Sequence, residues 1–451
     1  MDAPDPDVLP KAKKSLLSQS LLLVPVQIVL RGGEAVFPML LAAWFGSTRE
    51  TDANTLSFSF FAFIGSLVFG AYQDSTLVGL LVETKLKTPE RLGELTGALF
   101  GFTAVAGAVL AVLLTLAGLA LFRVVYPPDL AGMMVRLSAP LAVYLVLLGI
   151  KTYLVTLLNA EHRYQVGPAA AALGMLTLLT FVFTAKGRIG IIAVPIGTSL
   201  SEAVQVVLLL GATRRLLGLR MRLSVGIPAV ARPVLKQVFW SAAGGTITRV
   251  NPIVDQHMAT SILPGGATML RYSGDVATVG SSLLGSTLLP VFVTHLSETY
   301  ARRDFAAFRR TANRAQATVA ALMGVLAVAM FLLRGPLLRA VYLHGSMQPA
   351  AVERIASLMG YHLLGLPAFG VLLVQVRAYQ CLRKSRWMVP LGFANAALNV
   401  VFNVALVPFF GLEGVALGTS LVHTVLAAGF FFVLSGHLRE AAAGAEPVAS
   451  S

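Results

Sequence analysis

The sequence predicts an all-α polytopic membrane protein with about twelve transmembrane helices in two parallel six-helix halves. Of the 451 residues, 56% are hydrophobic and only 12% are charged, which leaves more apolar surface than a soluble core can bury. The apolar runs are long and continuous, as helices that cross the hydrocarbon require. They lack the short alternating segments of a membrane β-barrel.

A repeat predicts the two halves. The motif Gly197-Thr198-Ser199-Leu200 recurs as Gly418-Thr419-Ser420-Leu421 in the second half of the chain. The two copies are 221 residues apart. Pro168 and Pro390, one apolar segment earlier in each half, are 222 residues apart. Two markers with nearly the same offset indicate a duplication. The alternative is a chance match, because Gly, Ser and Thr are common at helix contacts in membranes.

The apolar segments can be taken in order. Spans are predicted at roughly 16–45, 55–82, 95–125, 132–158, 165–185 and 189–212, and then at roughly 236–262, 267–297, 314–341, 352–380, 387–410 and 412–435. An even number of spans returns the chain to its starting side, so both halves enter the membrane in the same orientation. Parallel repeats of this kind occur in transporters.

Basic residues predict the orientation in the membrane. The segments on the N-terminal side hold 23 of the 35 Lys and Arg residues, and the opposite segments hold 8. The positive-inside rule therefore places both termini in the cytoplasm. The net charge of +14 follows from this topology, so we expect no nucleic-acid partner.

The same pattern predicts the domain organisation. It comprises a disordered cytoplasmic tail (1–14), an N-terminal six-helix lobe (15–212), a basic cytoplasmic linker (213–235), a C-terminal six-helix lobe (236–436) and a cytoplasmic tail (437–451). The basic linker could bind anionic lipid headgroups, or it could serve only to set the topology.

Charged residues inside spans are the candidate functional residues, because a charge at the bilayer centre costs about 2.5 to 3.5 kcal/mol. In span one, Arg31 and Glu34 lie three residues apart and can form an ion pair on one helical face. Pro25 and Pro38 make this helix easy to bend. A kinked helix of this kind could gate a cavity, or the pair could simply be shielded by packing.

Further candidates lie in later spans. Asp74 in span two and Glu202 in span six are candidates for gating or coupling, whereas Lys151 can extend to the interface. Span eight carries Arg271 and Asp275, four residues apart on one face. Span seven, broken at Pro252, holds the densest polar cluster: Arg249, Asn251, Asp255 and His257. Spans seven and eight together predict one wall of a polar cavity.

Other chemistries find no support in the sequence. His295 and His362 lie near span ends and are interpreted as structural or interfacial rather than as proton relays. Cys381 is the single cysteine, and neither a His-Glu-x-x-His motif nor a P-loop occurs, so we expect no metal, cofactor or nucleotide hydrolysis by that route.

Several stretches resemble the MviN/MurJ group of lipid flippases, whose superfamily also holds polysaccharide flippases and multidrug extruders. They are 254–266 (VDQHMATSILPGG), 284–290 (LGSTLLP) and 304–310 (DFAAFRR), together with Phe45-Gly46 and Thr51-Asp52-Ala53. The resemblance covers nearly the whole chain in the right order. It implies a V-shaped transporter of the bacterial cytoplasmic membrane, whose cavity carries a lipid-linked saccharide outward.

The resemblance also implies cavity residues and departures from them. Arg31 falls at the first family arginine that meets the pyrophosphate, and Asp52 at the aspartate of the second helix. Phe37, Gly65 and Val276 stand where further family arginines are expected, and Arg271 could compensate. Two extra C-terminal spans usual in the peptidoglycan flippases are absent by our count. We therefore interpret the chain as a diverged relative.

The leading hypothesis is an alternating-access flippase of a lipid-linked saccharide, either a peptidoglycan precursor or an exopolysaccharide intermediate. Arg31, Arg249 and Arg271 would meet the anionic headgroup, while the carboxylates tune them or bind a coupling cation. Coupling to membrane potential, H⁺ or Na⁺ is left open, and membrane lipids are the expected surroundings. The alternatives are a cation-coupled multidrug exporter, a membrane glycosyltransferase or polymerase, and a transport-inactive scaffold of the same fold.

Overall fold

The computed structural model describes residues 26, 30–69, 81, 84, 85, 88, 90, 92–161, 163–217, 250–382 and 388–443. Within these ranges, the regular structure is entirely helical, so the predicted all-α fold is confirmed. Three predicted site residues, Pro25, Asp74 and Arg249, lie outside the described residues. The tail 1–14 and most of the linker 213–235 also lie outside them.

The helices group into two compact units. The N-terminal unit comprises residues 1–44 and 57–243, and the C-terminal unit comprises residues 45–56 and 244–451. Helix α2, Arg49–Phe69, therefore begins in the C-terminal unit and continues in the N-terminal unit. Helices α1 to α6 are 30–45, Arg49–Phe69, Leu92–Val125, Pro128–Ala160, Val166–Ile189 and Ala193–Leu217. Helices α7 to α13 are Asn251–Ile262, Gly266–Ala301, Phe305–Tyr342, Pro349–Leu364, Leu366–Cys381, Met388–Phe410 and Leu412–Ala443.

Helix α4 shows how these apolar sequences pack within the N-terminal unit. Leu130, Met134, Leu137, Leu141 and Leu145 are buried at spacings of three and four residues, which places them on one helical face. That helix packs against α3 and α6. The stripe thus turns an almost uniformly apolar segment into a helix with a defined inner face.

In the C-terminal unit, the span predicted over 352–380 is two helices, α10 and α11, bent by 47°. The bend lies at Gly365, where a Cβ atom would come within 2.6 Å of the Ser420 Cα. Pro367, in the first turn of α11, has no N–H with which to continue the helix. Ser420 Oγ accepts from the Gly365 N–H and donates to the Tyr361 carbonyl, so polar backbone groups at the break stay bonded.

The outer faces of the described helices match a membrane environment. Six helical stretches are long and apolar enough to cross a bilayer, or up to seven if the bent pair α10–α11 is one span. Large apolar side chains such as Val124, Leu332 and Phe432 are exposed on these helices. Lipid-facing surfaces have this character, and the chain is a multi-pass membrane protein.

Candidate functional site

A cavity of about 350 Å³ with both charged and apolar side chains on its wall lies inside the C-terminal unit. Five helices, α7, α8, α10, α11 and α13, contribute its lining. Of the residues predicted from sequence, Pro252, Asp255, Arg271 and Asp275 all line it. Spans seven and eight thus meet at one cavity.

Asp255 lies on this cavity wall, and both of its carboxylate oxygens accept hydrogen bonds. Helix α7 begins at Asn251 with Pro252 in its first turn, which suits the fixed φ of proline, and Asp255 follows one turn later. Its Oδ1 accepts from Asn399 Nδ2 at 2.9 Å and from Asn403 Nδ2 at 2.6 Å. Its Oδ2 accepts from Thr419 Oγ1 at 3.3 Å. A carboxylate that is only 8% exposed is stabilised by such donors.

The three partners of Asp255 were not predicted from the sequence. Asn399 and Asn403 are fully buried and lie four residues apart on α12, one turn of one helix face. Two amides at that spacing in an apolar span were the available signal. Thr419 belongs to the repeated Gly-Thr-Ser motif, which was used only as evidence of duplication.

Arg271 and Asp275 form a looser pair. The Arg271 Nε lies 3.6 Å from Asp275 Oδ2, and the side chains are 30% and 46% exposed. One turn of α8 separates them, so the helix itself holds both charges on the cavity side. The cavity therefore contains an accessible guanidinium beside an accessible carboxylate.

Aromatic rings form another part of the wall. The rings of Phe369 and His423 lie 4.9 Å apart between centroids, with planes inclined by 39°, and both residues line the cavity. His362, interpreted from sequence as structural or interfacial, lies in the last turn of α10 and also lines the cavity. Its Nε2 is buried without a hydrogen-bond partner. His423 was not singled out from sequence, because a lone histidine in an apolar span carries no pattern.

Asp52 lies elsewhere in the C-terminal unit and is completely buried. Its two oxygens accept from the backbone N–H groups of Gly265 and Thr268 at 2.7 and 2.9 Å, and from the hydroxyls of Thr260 and Thr268. These N–H groups belong to the start of α8, where a helix lacks internal acceptors and favours a negative charge. Asp52, predicted as a substrate-binding residue, therefore caps α8 and does not line the cavity.

The other predicted residues lie in the N-terminal unit. Arg31 and Glu34 form the predicted ion pair at 2.8 Å on an exposed face of α1, and α1 continues through Pro38. Glu202 is buried and pairs with Lys151 at 2.7 Å. Lys151, expected to be able to extend to the interface, instead forms a partly buried ion pair that joins α4 and α6.

Comparison with known proteins identifies the family. A family model described as "Lipid II flippase MurJ" matches residues 41–443. The chain belongs to the lipid II flippase MurJ family. This membership confirms the resemblance found in the sequence and the polytopic transporter fold.

Similar MurJ proteins and structures are distant in sequence. A "Probable lipid II flippase MurJ" of Vibrio cholerae is 24% identical over 40% of this chain and 34% of its own length. A protein of the same description from Rhizobium tropici is also 24% identical, over 67% of this chain and 58% of its own length. The chain thus spans about a third of the length of the first relative and less than two thirds of the length of the second. A structure titled "Lipid II flippase MurJ, inward closed conformation" matches with TM-score 0.76 and 16% identity, over 94% of this chain and 90% of the other.

The fold is shared beyond the MurJ family. An inward-facing multidrug resistance MATE family transporter of the MOP superfamily matches with TM-score 0.73 and 13% identity, over 93% of this chain and 96% of that chain. At this identity, the match shows the common fold alone.

Proposed function

We propose that this chain flips a lipid-linked saccharide across the bacterial cytoplasmic membrane by alternating access. The observation that carries the proposal is the accessible Arg271 in a cavity of the membrane-embedded C-terminal unit. A guanidinium in a membrane span is costly unless it serves a polar ligand or cavity. Arginine binds phosphate groups through several charge-assisted hydrogen bonds, and a lipid-linked saccharide carries such a group between lipid and sugar.

Arg31 gives the N-terminal unit a comparable cation. Its side chain is 74% exposed even though it pairs with Glu34, so it remains accessible to an anionic headgroup. We propose Arg249, together with Arg31 and Arg271, as a third arginine that binds the anionic headgroup. Both termini are proposed to be cytoplasmic, in accordance with the bias of basic residues.

The positions that depart from the family indicate a changed headgroup site. A Cβ atom on Gly65, where the resemblance expects an arginine, would lie 2.8 Å from Leu148 Cδ2 and 3.0 Å from Leu145 Cδ1. An arginine at this position would therefore require the ends of the two leucine side chains to move aside. We propose that the substrate is bound by fewer cationic groups than in the family pattern, which suits a lipid-linked saccharide other than the peptidoglycan precursor.

We further propose that Asp255 binds a coupling cation. The carboxylate and the Thr419 hydroxyl are hard oxygen donors of the kind that such cations prefer. The amides of Asn399 and Asn403 donate their N–H groups to the carboxylate in this structure, and turning the amides over would bring their oxygens to the cation. Asn403 Oδ1, which is buried without a hydrogen-bond partner, would gain a ligand in this way. Membrane potential could contribute about 2.3 kcal/mol per charge per 100 mV.

The test is flipping in proteoliposomes. Polyprenyl-pyrophosphate saccharides with a fluorophore on the sugar would be reconstituted, and movement would be followed by a quencher that cannot cross the membrane. We expect Arg271→Ala to reduce the rate by roughly tenfold or more, the effect of losing a charged hydrogen bond. Arg339→Ala is the matched control, because Arg339 forms an exposed pair with Glu353 and is not among the lining residues of the cavity.

Two results would overturn the proposal. One is a wild-type protein that moves none of a panel of lipid-linked saccharides. The other is Arg271→Ala protein that flips the lipid as fast as the Arg339→Ala control at the same protein density.

A further inference from the structure

We infer that the cavity of the C-terminal unit binds a sugar ring of the transported saccharide. Gln256, His362 and Asp275 would bond its hydroxyl groups, and the Phe369 and His423 rings would contact its face. This inference rests on the proposed function, since it assigns the saccharide part of that substrate to named residues.

The first observation is a pair of buried polar atoms without protein partners. Gln256 is only 7% exposed, and neither its Oε1 nor the Nε2 of His362 has a hydrogen-bond partner. Both residues line the same cavity. Buried polar atoms left unbonded are costly. Because both residues line the cavity, a rotation of each side chain would bring its unbonded atom to a ligand that supplies hydrogen-bonding groups there.

The charged pair in the cavity narrows the class of ligand. Asp275 offers acceptor oxygens and Arg271 offers donor N–H groups, 3.6 Å apart. In the proposed function Arg271 binds the phosphate, so Asp275 faces the group that comes next in the substrate. A sugar hydroxyl both donates and accepts, so a ring hydroxyl beside the phosphate can donate to the Asp275 carboxylate.

The aromatic rings add a surface for the apolar face of a sugar. An aromatic face carries negative charge density, which attracts the slightly positive C–H groups of a pyranose ring. Phe369 and His423 present two adjacent rings on the cavity wall. Polar groups together with an aromatic face on one small cavity favour a saccharide over a purely apolar ligand.

The cavity size sets how much of the saccharide is bound. At about 350 Å³, it lies at the low end of roughly 300 to 1,000 Å³ for small-molecule sites. We therefore assign one or two sugar rings to it rather than a complete oligosaccharide.

The repeat shows that this lining is specific to the C-terminal unit. At the offset that relates Gly197 to Gly418, Phe369 corresponds to Leu148, and His423 corresponds to Glu202. In the N-terminal unit, Glu202 is committed to the ion pair with Lys151. The aromatic surface thus occupies positions that serve internal packing and pairing in the other unit.

The experiment measures binding of free sugars by saturation-transfer NMR. Purified full-length protein would be held in phospholipid nanodiscs without glycosidic detergent, and glucose, N-acetylglucosamine and their β-1,4-linked disaccharides would be the probes. Gln256→Met removes the acceptor at nearly constant volume, and Phe369→Leu removes the aromatic face. We expect at least tenfold weaker binding in each variant. Phe432→Leu, at an exposed position of α13, is the matched control and should bind as wild type does.

Several outcomes would overturn the inference. They are the absence of a signal from every sugar with correctly folded wild-type protein, equal signals in the cavity variants and the control, or binding of the organic cation tetraphenylphosphonium in place of sugars. The thermal unfolding of each variant is measured as well, so that a variant that loses the NMR signal because it is unfolded can be recognised.

The same experiment separates this inference from the proposed function. Free sugars carry neither lipid nor phosphate, so their binding does not depend on flipping. Sugar binding with no lipid movement would refute the flippase and leave the sugar site standing. Flipping that Gln256→Met and Phe369→Leu leave unchanged for every saccharide tested would refute the sugar site and leave the flippase standing.

Discussion

Ser199 Oγ donates a hydrogen bond of 2.5 Å to the carbonyl oxygen of Pro140. The corresponding bond in the C-terminal unit runs from Ser420 Oγ to the Tyr361 carbonyl at 2.6 Å. Donor and acceptor are both displaced by the offset that separates the two copies of the Gly-Thr-Ser motif. The duplication indicated by the sequence is therefore also present in the internal contacts of each unit.

The glycine of the motif repeats its contacts in the same way. A Cβ atom on Gly197 would lie 3.1 Å from the Val182 side chain, and one on Gly418 would lie 2.6 Å from Asn403 Oδ1. Val182 and Asn403 are related by the same offset, and both are fully buried. The polar centre around Asp255 thus occupies a position that is apolar in the N-terminal unit.

The duplicated serine bonds make a first prediction. Ser420→Ala removes the acceptor of the Gly365 N–H and a donor to the Tyr361 carbonyl, so we expect it to lower the free energy of unfolding by about 1 to 3 kcal/mol. Ser199→Ala, the matched variant, removes one such bond and should cost roughly 0.5 to 1.5 kcal/mol. Denaturant unfolding in mild detergent measures both, and a larger loss for Ser199→Ala would contradict the structure.

A second prediction concerns the cap of α8. Asp52→Asn replaces an acceptor oxygen with an NH₂ group that faces N–H donors, so we expect a loss of about 3 kcal/mol of unfolding free energy. Thr260→Val removes only one of the hydroxyl donors to Asp52 and should cost less. Thermal unfolding of the two variants compares them, and equal stability of Asp52→Asn and wild type would show that the carboxylate is not needed as a cap.

The buried pair of the N-terminal unit makes a third prediction. Glu202→Gln leaves the Lys151 ammonium without its counter-charge and should destabilise the protein by about 1.5 to 3 kcal/mol, because the lysine is partly exposed. The double variant Lys151→Met with Glu202→Leu replaces both charges by apolar groups and should recover most of that loss. A double variant less stable than Glu202→Gln alone would refute this account of the pair.

A fourth prediction tests the proposed cation at Asp255. If a monovalent cation binds there, Na⁺ or K⁺ in place of choline should raise the unfolding temperature, since a ligand at 100 times its Kd adds about 2.7 kcal/mol. Asp255→Asn should abolish the increase. Asp275→Asn, on the same cavity but outside the Asn399 and Asn403 cluster, should retain it. An ion effect that survives Asp255→Asn would place the cation elsewhere.

Local relationships were the part of the site that could be predicted from the sequence. Arg31 with Glu34, and Arg271 with Asp275, lie one helical turn apart, so a helix of any tertiary fold brings them together. The long apolar runs likewise predicted helices such as α3 and α4 close to their observed bounds, because a long apolar segment in lipid must satisfy its backbone internally.

The bend at Gly365 could not be predicted from the local sequence. Apolar composition continues through residues 352–380, so the sequence predicts one span there. The break depends on the approach of Ser420 from α13, a contact 55 residues away in the chain. A glycine and a proline permit such a bend, but only the neighbouring helix determines that it occurs.

By itself, the sequence determined that this protein is helical, membrane-spanning, duplicated and related to the MurJ flippases, because these properties depend on composition, periodicity and motifs along the chain. The tertiary structure decided which polar residues act together. Asp52 accepts a hydrogen bond from Gly265 at the start of α8, 213 residues away in the chain. Asp255 accepts one from Asn403, 148 residues away. A buried carboxylate requires donors, and in a membrane only distant helices can bring them to it.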